Sequence, residues 1–180
     1  MNMTGNTILI TGAGSGIGLA LAEEFVALDN EVIVAARSRG KRDAAERRGL
    51  KTIVAVMPHL LKQRSAAILI VSSGLAFVPS AFVPSYSATK AALHSYAQSL
   101  RFQLRQTSIQ VIEIAPPYVQ TELGGRSQAT DPNAMPLRDF ISEVIQILIR
   151  GDTDSEERPS RRRGPRATGA PASVRGRARA

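Results

Sequence analysis

The chain has 180 residues, a formal net charge of +8, a hydrophobic fraction of 43% and no cysteine. This length and composition predict one folded domain with a buried core. The lack of cysteine excludes disulfides and thiolate chemistry, which is typical of a reducing compartment. The longest apolar run, residues 66–71, is far too short to cross a bilayer, and the N-terminus lacks the pattern of a secretion signal. We therefore expect a cytoplasmic protein without a membrane partner.

The first 36 residues follow the pattern of a strand, a glycine-rich turn, a helix and a second strand. Residues 7–10 (TILI) are a short, mostly apolar run that leads into TGAGSGIG, and residues 19–28 repeat apolar side chains at helical spacing. Residues 31–36 (EVIVAA) are a second run that is apolar after Glu31. Nearly continuous apolar strands are typical of a parallel sheet that is covered on both faces. The pattern predicts a βαβ unit of about 30 residues.

The glycine-rich turn between the first strand and the first helix is typical of dinucleotide binding. Gly12, Gly16 and Gly18 would let the backbone approach a pyrophosphate closely, and the start of the helix offers free N–H groups. The spacing is T-G-x-x-x-G-x-G and not G-x-G-x-x-G. A tight turn without any ligand is the alternative interpretation.

The rest of the chain up to residue 150 predicts further helices and strands in alternation, as in an α/β fold. In chain order these are a polar helix at 39–49, a strand at 52–56, a buried strand at 67–71, a long helix at 86–106, a strand at 109–114, a loop or flap at 118–135 and an amphipathic helix at 140–149.

A tyrosine, a lysine and a serine are the candidates for acid–base chemistry. Tyr86 and Lys90 are four residues apart, which places them on one face of a helix. A phenol ordinarily titrates near pH ~10, and a neighbouring ammonium favours its ionised form, so Tyr86 could exchange protons at working pH. Ser73 follows the strand at 67–71, where its hydroxyl could hold a substrate oxygen. The Tyr–Lys spacing by itself is also common on ordinary helix surfaces.

Four motifs in this order resemble the short-chain dehydrogenase/reductase family, and in particular its DltE-like branch. The motifs are TGAGSGIG, VSS, YSATK and PPYVQT, and the resemblance covers residues 5–148. It implies an oxidoreductase that transfers a hydride between a nicotinamide cofactor and a small carbonyl or alcohol substrate. It implies no metal site.

The resemblance also implies a role for each matching residue. Tyr86 would exchange a proton with the substrate, Lys90 would lower the pKa of Tyr86 and bind the nicotinamide ribose, and Ser73 would polarise the carbonyl. The implied cofactor contacts are Gly12, Ser15, Gly16, Ile17 and Gly18 at the pyrophosphate, and Val119 and Thr121 at the nicotinamide end.

The end of the second strand predicts which nicotinamide cofactor is used. An acidic side chain there would bind the ribose 2′-hydroxyl of NAD, whereas this chain has Arg37, which suits the 2′-phosphate of NADP. We therefore expect NADP rather than NAD. The alternative is that Arg37 only caps a solvent-facing loop.

The junction between Val56 and Met57 indicates an internal deletion. Members of the family have here a helix, a strand that ends in Asn-Asn-Ala-Gly, and a long helix that carries a catalytic Asn, and this chain keeps only the end of that long helix, MPHLL, joined directly to the third strand. We therefore expect a Rossmann-like doubly wound parallel sheet, shortened by loss of a central strand and flanking helices. The strand at 67–71 must then pair directly with the strand at 7–10, or the sheet keeps an unpaired central edge.

The deletion also bears on activity and assembly. The missing Asn would interrupt the family's proton relay, so a catalytically inactive dinucleotide-binding remnant is the alternative to an active enzyme. The resemblance implies a homo-oligomer, but the missing helix would remove half of the usual subunit interface.

Residues 151–180 differ in composition from the predicted dinucleotide-binding and catalytic domain at 1–150. They hold eight arginines and four acidic residues and almost no large apolar side chain. Such a segment buries too little surface to offset its ordering entropy, which predicts a disordered tail. A nucleic-acid-binding arm is the alternative, but no aromatic residues are interleaved for base stacking, so we expect no nucleic-acid partner.

Two histidines and two phenylalanines complete the candidates. His59 and His94 are predicted to be structural, because neither has a carboxylate partner nearby in sequence. Phe77 and Phe82 lie between Ser73 and Tyr86, where they could line a substrate pocket or pack in the core.

Overall fold

The elements of the protein alternate between strand and helix over most of the chain. The structure, a computed structural model, describes residues 3–35, 45–151 and 173–175, and at 45–52 and 173–175 it describes the backbone only. In chain order the elements are β1 (Thr7–Thr11), α1 (Gly16–Ala27), β2 (Glu31–Ala35), α2 (Ala45–Leu60), β3 (Ala66–Val71), a 3-10 turn (Gly74–Ala76), α3 (Pro84–Gln103), β4 (Ile109–Ala115), α4 (Arg126–Ala129), α5 (Leu137–Arg150) and β5 (Ser173–Arg175).

The strands form one sheet in the order β2-β1-β3-β4-β5. The first four strands are parallel, and β5 pairs antiparallel with β4. β1 pairs directly with β3, with Ile8 opposite Ala67. This confirms the predicted shortened parallel sheet, because no strand separates the two elements that the family is expected to keep apart.

Helices cover both faces of the sheet, so β1, β3 and β4 are buried on both sides, whereas β2 keeps Val34 45% exposed. Alternate residues of a strand point to opposite faces, which is why strands covered on both faces are mostly apolar. One face packs against α1 and α5, and its buried members include Ile8, Ile10, Phe25, Ile112, Ile114, Phe140 and Val144. The other face packs against α2 and α3, and its buried members include Leu9, Ile53, Leu60, Ile68, Ile70, Leu100 and Val111.

The strand predicted at residues 52–56 is wrong, because this stretch lies inside α2. The segment TIVAV is apolar and β-branched, which favours a strand when it is taken alone. However, Ile53, Val56, Met57 and Leu60 follow helical spacing, and all four pack in the core beneath α2 and α3. Burial of this stripe decides the conformation, even with Pro58 in the last turn.

The helix predicted at 39–49 is also only partly right. Residues 36–44 lie outside the described part of the chain, and α2 continues through Gly49 where an end was predicted. Glycine inside a helix costs about 1 kcal/mol relative to alanine. Burial of the apolar stripe that follows offsets this cost, so the helix continues through Gly49.

The C-terminal region begins after α5, which ends at Gly151 in a left-handed conformation with φ of 72°. Within the segment predicted to be a disordered tail, β5 pairs with residues 113–115 of β4 and so departs from that prediction at three positions. Residues 152–172 and 176–180 lie outside the described residues, and the division into a domain and a tail stays a prediction. None of the described helices is long and apolar enough to span a membrane.

Candidate active site

The glycine-rich turn follows β1 and has the backbone conformation that glycine permits. Gly12 and Gly16 have φ of 74° and 57°, in the left-handed region. Gly18 lies in the first turn of α1, where an added Cβ would be 2.6 Å from the carbonyl oxygen of Gly12. The turn and the helix therefore approach each other as closely as only glycine allows.

The start of α1 keeps donors available for a ligand. Ser15 is the N-cap residue, but its side chain makes no capping hydrogen bond. The first N–H groups of a helix have no intrahelical partner, and the helix dipole favours an anion beside them. Ser15 is exposed, whereas Ile17 packs partly against the core. A cradle of this kind, which any larger residue would fill, fits a pyrophosphate.

Part of the predicted flap reaches the same turn. The Cβ and Cγ2 atoms of Thr121 lie 3.5 Å from the position of a Cβ added to Gly16. Gln128 donates to the carbonyl oxygen of Val119 at 2.8 Å and to the hydroxyl of Thr121 at 3.2 Å, which fixes this part of the flap. The structure thus brings Thr121 to the predicted pyrophosphate site. The side chain of Val119 is buried in the core beneath it.

The three acid–base candidates meet near the end of β3. Lys90 donates from Nζ to the carbonyl oxygen of Val71 at 3.0 Å. The same Nζ lies 5.5 Å from the ring centroid of Tyr86, one helical turn earlier in α3. Ser73 is buried and caps the 3-10 turn, with its Oγ accepting from the N–H of Leu75 at 3.2 Å. The arrangement places an ammonium beside the Tyr86 ring, and the Ser73 hydroxyl, which accepts in this hydrogen bond, also has an O–H that can donate.

Topology explains why these groups and the glycine turn share one edge of the sheet. The glycine turn, Ser73 and the flap follow the carboxyl ends of β1, β3 and β4, which are parallel neighbours. β2 lies on one side of β1, and β3 lies on the other, so the chain reverses direction across the sheet at β1. Ligands of open α/β sheets bind in the crevice at such a switch point.

The flap is held by a local network around Asp131. The backbone N–H of Asn133 donates to Asp131 at 2.9 Å, and the hydroxyl of Tyr118 donates to it at 3.1 Å. The Asn133 hydrogen bond is the main cause that holds the pKa of Asp131 below its ordinary value, and the Tyr118 hydroxyl adds to it. Loss of hydration, followed by the carboxylate of Asp131, raises the pKa of Tyr118.

Sequence reasoning missed one polar pair next to these residues. His94 Nδ1 lies 2.8 Å from Oε2 of Glu113, which is fully buried in β4. The partner is 19 residues away, so the expectation of no carboxylate near His94 in sequence overlooked it. The available signal was an acid in the otherwise apolar strand IQVIEIA.

The structure also narrows the alternatives for the two phenylalanines. Phe82 is 96% exposed, which excludes core packing for its side chain. Phe77 is partly exposed, and its ring packs edge-on against His94 with centroids 4.5 Å apart. His59 lies on the surface, 3.2 Å from the side-chain nitrogen of Gln63. Arg37 lies outside the described residues, so its predicted role stays a prediction, as do the other site roles.

Together, the open parallel sheet and the glycine cradle after β1 define an α/β protein of the dinucleotide-binding class. A family model described as short chain dehydrogenase matches residues 6–49 and 47–132. The chain belongs to the short-chain dehydrogenase family.

Two relatives show how far the similarity extends. The "Uncharacterized oxidoreductase DltE" of Bacillus subtilis (strain 168) is 35% identical over 218 positions, which cover 84% of this chain and 86% of that protein. An "Uncharacterized oxidoreductase" of Myxococcus xanthus (strain DK1622) is 31% identical over 66% of this chain. The match covers only 47% of that protein, and 44% of a similar oxidoreductase of Staphylococcus epidermidis.

Solved structures of low sequence identity share the fold. A short chain dehydrogenase from Burkholderia cenocepacia J2315 in complex with NADP has a TM-score of 0.63 at 19% identity, over 83% of this chain and 86% of that one. A 3-ketoacyl-(acyl-carrier-protein) reductase from Brucella melitensis complexed with NADH has a TM-score of 0.65 at 17% identity, over 81% and 91%.

The comparisons agree with the predicted internal deletion but indicate a different position for it in the chain. The alignment with DltE spans 218 positions, whereas 84% of 180 residues is about 151, so DltE has roughly 67 additional residues within the span. The two segments of the family match meet at residues 47–49. The predicted junction between Val56 and Met57 is therefore wrong, and α2 crosses that point as one continuous helix.

Proposed function

We propose that this chain is an NADP-dependent oxidoreductase that transfers a hydride between the nicotinamide and a small carbonyl or alcohol substrate. One observation carries the proposal: the glycine cradle after β1 and the Ser73–Tyr86–Lys90 group beside β3 lie at neighbouring strand ends. The bound cofactor would supply the hydride chemistry. The protein supplies binding, orientation and the proton.

Each side chain has a separate task in this proposal. In the reductive direction, the Tyr86 hydroxyl donates its proton to the carbonyl oxygen as the hydride reaches the carbonyl carbon. The Ser73 O–H donates a hydrogen bond to the same oxygen and holds the carbonyl in place. The Lys90 ammonium stabilises the phenolate form of Tyr86 that remains after the proton has been transferred. The Nζ of Lys90 donates to the carbonyl oxygen of Val71 at the end of β3, and the resemblance to the family implies that it also binds a ribose hydroxyl.

The choice of NADP over NAD rests on Arg37 and the absence of an acid beside it in the sequence. Solved neighbours include complexes with NADP, NADPH, NADH and NAD, so the family fold alone does not favour either cofactor. We expect Arg37→Leu to weaken NADPH binding about tenfold or more and to leave NADH binding unchanged. Equal losses for both cofactors would contradict the assigned role.

The test begins with thermal unfolding of the full chain with and without NADPH and NADH. A ligand that binds only the folded state stabilises it by about 2.7 kcal/mol at a hundredfold excess over its Kd. A panel of aldehydes and ketones then follows NADPH oxidation in wild type, Tyr86→Phe and Tyr96→Phe. We expect Tyr86→Phe to keep the NADPH-dependent shift and lose turnover, and the matched change at Tyr96, on the same helix, to keep both. Turnover that persists in Tyr86→Phe would refute the mechanism.

A second candidate is a dinucleotide-binding protein without turnover. The roughly 67 residues by which DltE exceeds the aligned part of this chain, and the missing Asn-Asn-Ala-Gly motif, favour it. A clear NADPH-dependent shift with no oxidation of NADPH across the carbonyl panel would support this candidate over the enzyme. Turnover that depends on Tyr86 would exclude it.

A further inference from the structure

A buried carboxylate interrupts an otherwise apolar face of the sheet. Glu113 of β4 has no solvent exposure, and it faces α3 together with Ile109 and Val111. Its Oε2 contacts His94 at 2.8 Å and lies 3.9 Å from the Arg101 guanidinium. Its Oε1 is buried and has no hydrogen-bond partner among the described residues. A group of this kind costs several kcal/mol to bury unless it is paired, so its presence calls for an explanation.

Polar side chains of α3 contact the sheet at three successive points. Lys90 donates to the carbonyl oxygen of Val71 at 3.0 Å, His94 contacts Glu113, and Nε of Arg101 donates to the carbonyl oxygen of Val111 at 3.0 Å. Positions 86, 90, 94 and 101 follow one stripe of the helix. Apolar packing is non-directional, whereas hydrogen bonds have a fixed geometry. These contacts therefore fix the register of α3, that is, its position along the direction of β3 and β4.

The imidazole of His94 also contacts the segment that follows Ser73. Phe77 is the residue directly after the 3-10 turn that Ser73 caps. Its ring packs edge-on against the imidazole of His94, with an interplanar angle of 63°. One side chain therefore touches the Ser73 turn on one side and the buried Glu113 of β4 on the other. It lies one helical turn from Lys90 and two from Tyr86.

We infer that His94 and Glu113 form a positioning pair for the proposed active site, an inference that rests on the proposed function. The pair fixes the register of α3 on β4 and thereby places Tyr86 and Lys90 relative to Ser73. The alternative is a purely structural pair. The two differ in a testable way, because buried ion pairs that serve only stability are often replaced by apolar residues of similar size without loss.

The test compares wild type with the double variant His94→Leu/Glu113→Leu in the full chain. Denaturant unfolding measures global stability, and amide hydrogen exchange measures local opening in residues 84–93. We expect the double variant to be about as stable as wild type but to exchange faster in residues 84–93. Unchanged exchange there at unchanged stability would overturn the positioning role, whether or not the protein binds a cofactor.

Ligand binding then links the pair to the site. Adenosine 2′,5′-bisphosphate is the adenosine half of NADPH and would occupy only the cradle after β1 and the proposed Arg37 subsite, whereas NADPH also reaches the Lys90 end. In the double variant we expect the Kd for NADPH to rise about tenfold or more and the Kd for the bisphosphate to change less than about twofold. Equal changes for both ligands would contradict the inference. A wild type that binds neither would refute the proposed function separately.

A conservative variant supplies the control. Glu113→Gln keeps an acceptor oxygen for His94 and nearly the same volume, whereas Glu113→Leu removes the partner of a side chain that is mostly buried. We expect Glu113→Gln to retain slow exchange in residues 84–93 and most of the NADPH affinity, and Glu113→Leu to lose both. If the two single variants behave alike, the hydrogen bond between His94 and Glu113 has no positioning role.

Discussion

Replacing Gly18 by alanine tests whether the close approach of α1 builds the dinucleotide cradle. The added Cβ would lie 2.6 Å from the carbonyl oxygen of Gly12 and 2.8 Å from Cα of Ala13. Real Cβ atoms essentially never approach closer than 3.0 Å. The neighbours are backbone atoms that cannot rotate away, so the turn must move from the helix by at least the difference between 2.6 and 3.0 Å, which is 0.4 Å.

Two opposing effects set the size of the stability change. Overpacking of this kind costs about 1–3 kcal/mol. Alanine in a helix gains about 1 kcal/mol over glycine. The net loss is therefore up to about 2 kcal/mol, which lowers the thermal midpoint of a chain of this size by up to about 8 °C. If the displaced turn binds NADPH tenfold more weakly, the stabilisation at a fixed ligand concentration falls from about 2.7 to about 1.4 kcal/mol.

The assay is thermal unfolding with and without NADPH for wild type, Gly18→Ala and a matched control. Gly74→Ala is the control, because its Cβ would meet only the carbonyl oxygen of Pro116, at 3.6 Å, and its φ is not positive. We expect the control to keep both the midpoint and the NADPH shift. A Gly18→Ala variant that keeps both as well would refute the reasoning that this contact shapes the cradle.

Three further changes test other parts of the site. Hydrogen bonds hold the pKa of Asp131 below its ordinary 3.8, so its contribution to the flap is present above that pH and is lost as the pH falls below it. Asp131→Asn at neutral pH is therefore expected to speed tryptic cleavage after Arg126, and Glu122→Gln is not. Lys90→Met is expected to lower kcat by about a hundredfold or more, measured by NADPH oxidation, with little loss of stability. Phe82→Ala is expected to leave the midpoint unchanged, because the ring is 96% exposed, and to raise the KM for bulky apolar carbonyls.

The strands β1 to β4 and the helices α1, α3 and α5 could be predicted from the sequence, because their apolar periodicity has one interpretation. The exception is α2. Its stretch TIVAV satisfies the strand pattern by residue type and the helix pattern by spacing, and only the core that it packs against decides between them. The same ambiguity led to the wrong position for the internal junction. A strand that ends at Val56 would place the end of an element there, whereas the helix α2 continues through this point.

The motifs predict the members of the candidate site, but they predict only some of the contacts between its elements. Tyr86 and Lys90 share one helix, so their proximity follows from spacing alone. The contact between His94 and Glu113 depends on how far α3 lies along β4, which no local pattern encodes. The strand β5 is similar in this respect, because it pairs through backbone groups that composition does not reveal.

The direct pairing of β1 with β3 bears on the choice between the two proposed functions. Neighbouring strands lie about 4.8 Å apart, so loss of one strand brings the Ser73 turn closer to the glycine cradle by about that distance. The cradle itself depends on β1, α1 and the flap, all of which are present, so binding of the pyrophosphate is expected to survive. Hydride transfer is more sensitive, because a misplacement of 1 Å can cost a hundredfold in rate. Turnover by wild type would therefore mean that α3 and the flap compensate for the missing strand, and binding without turnover would mean that they do not.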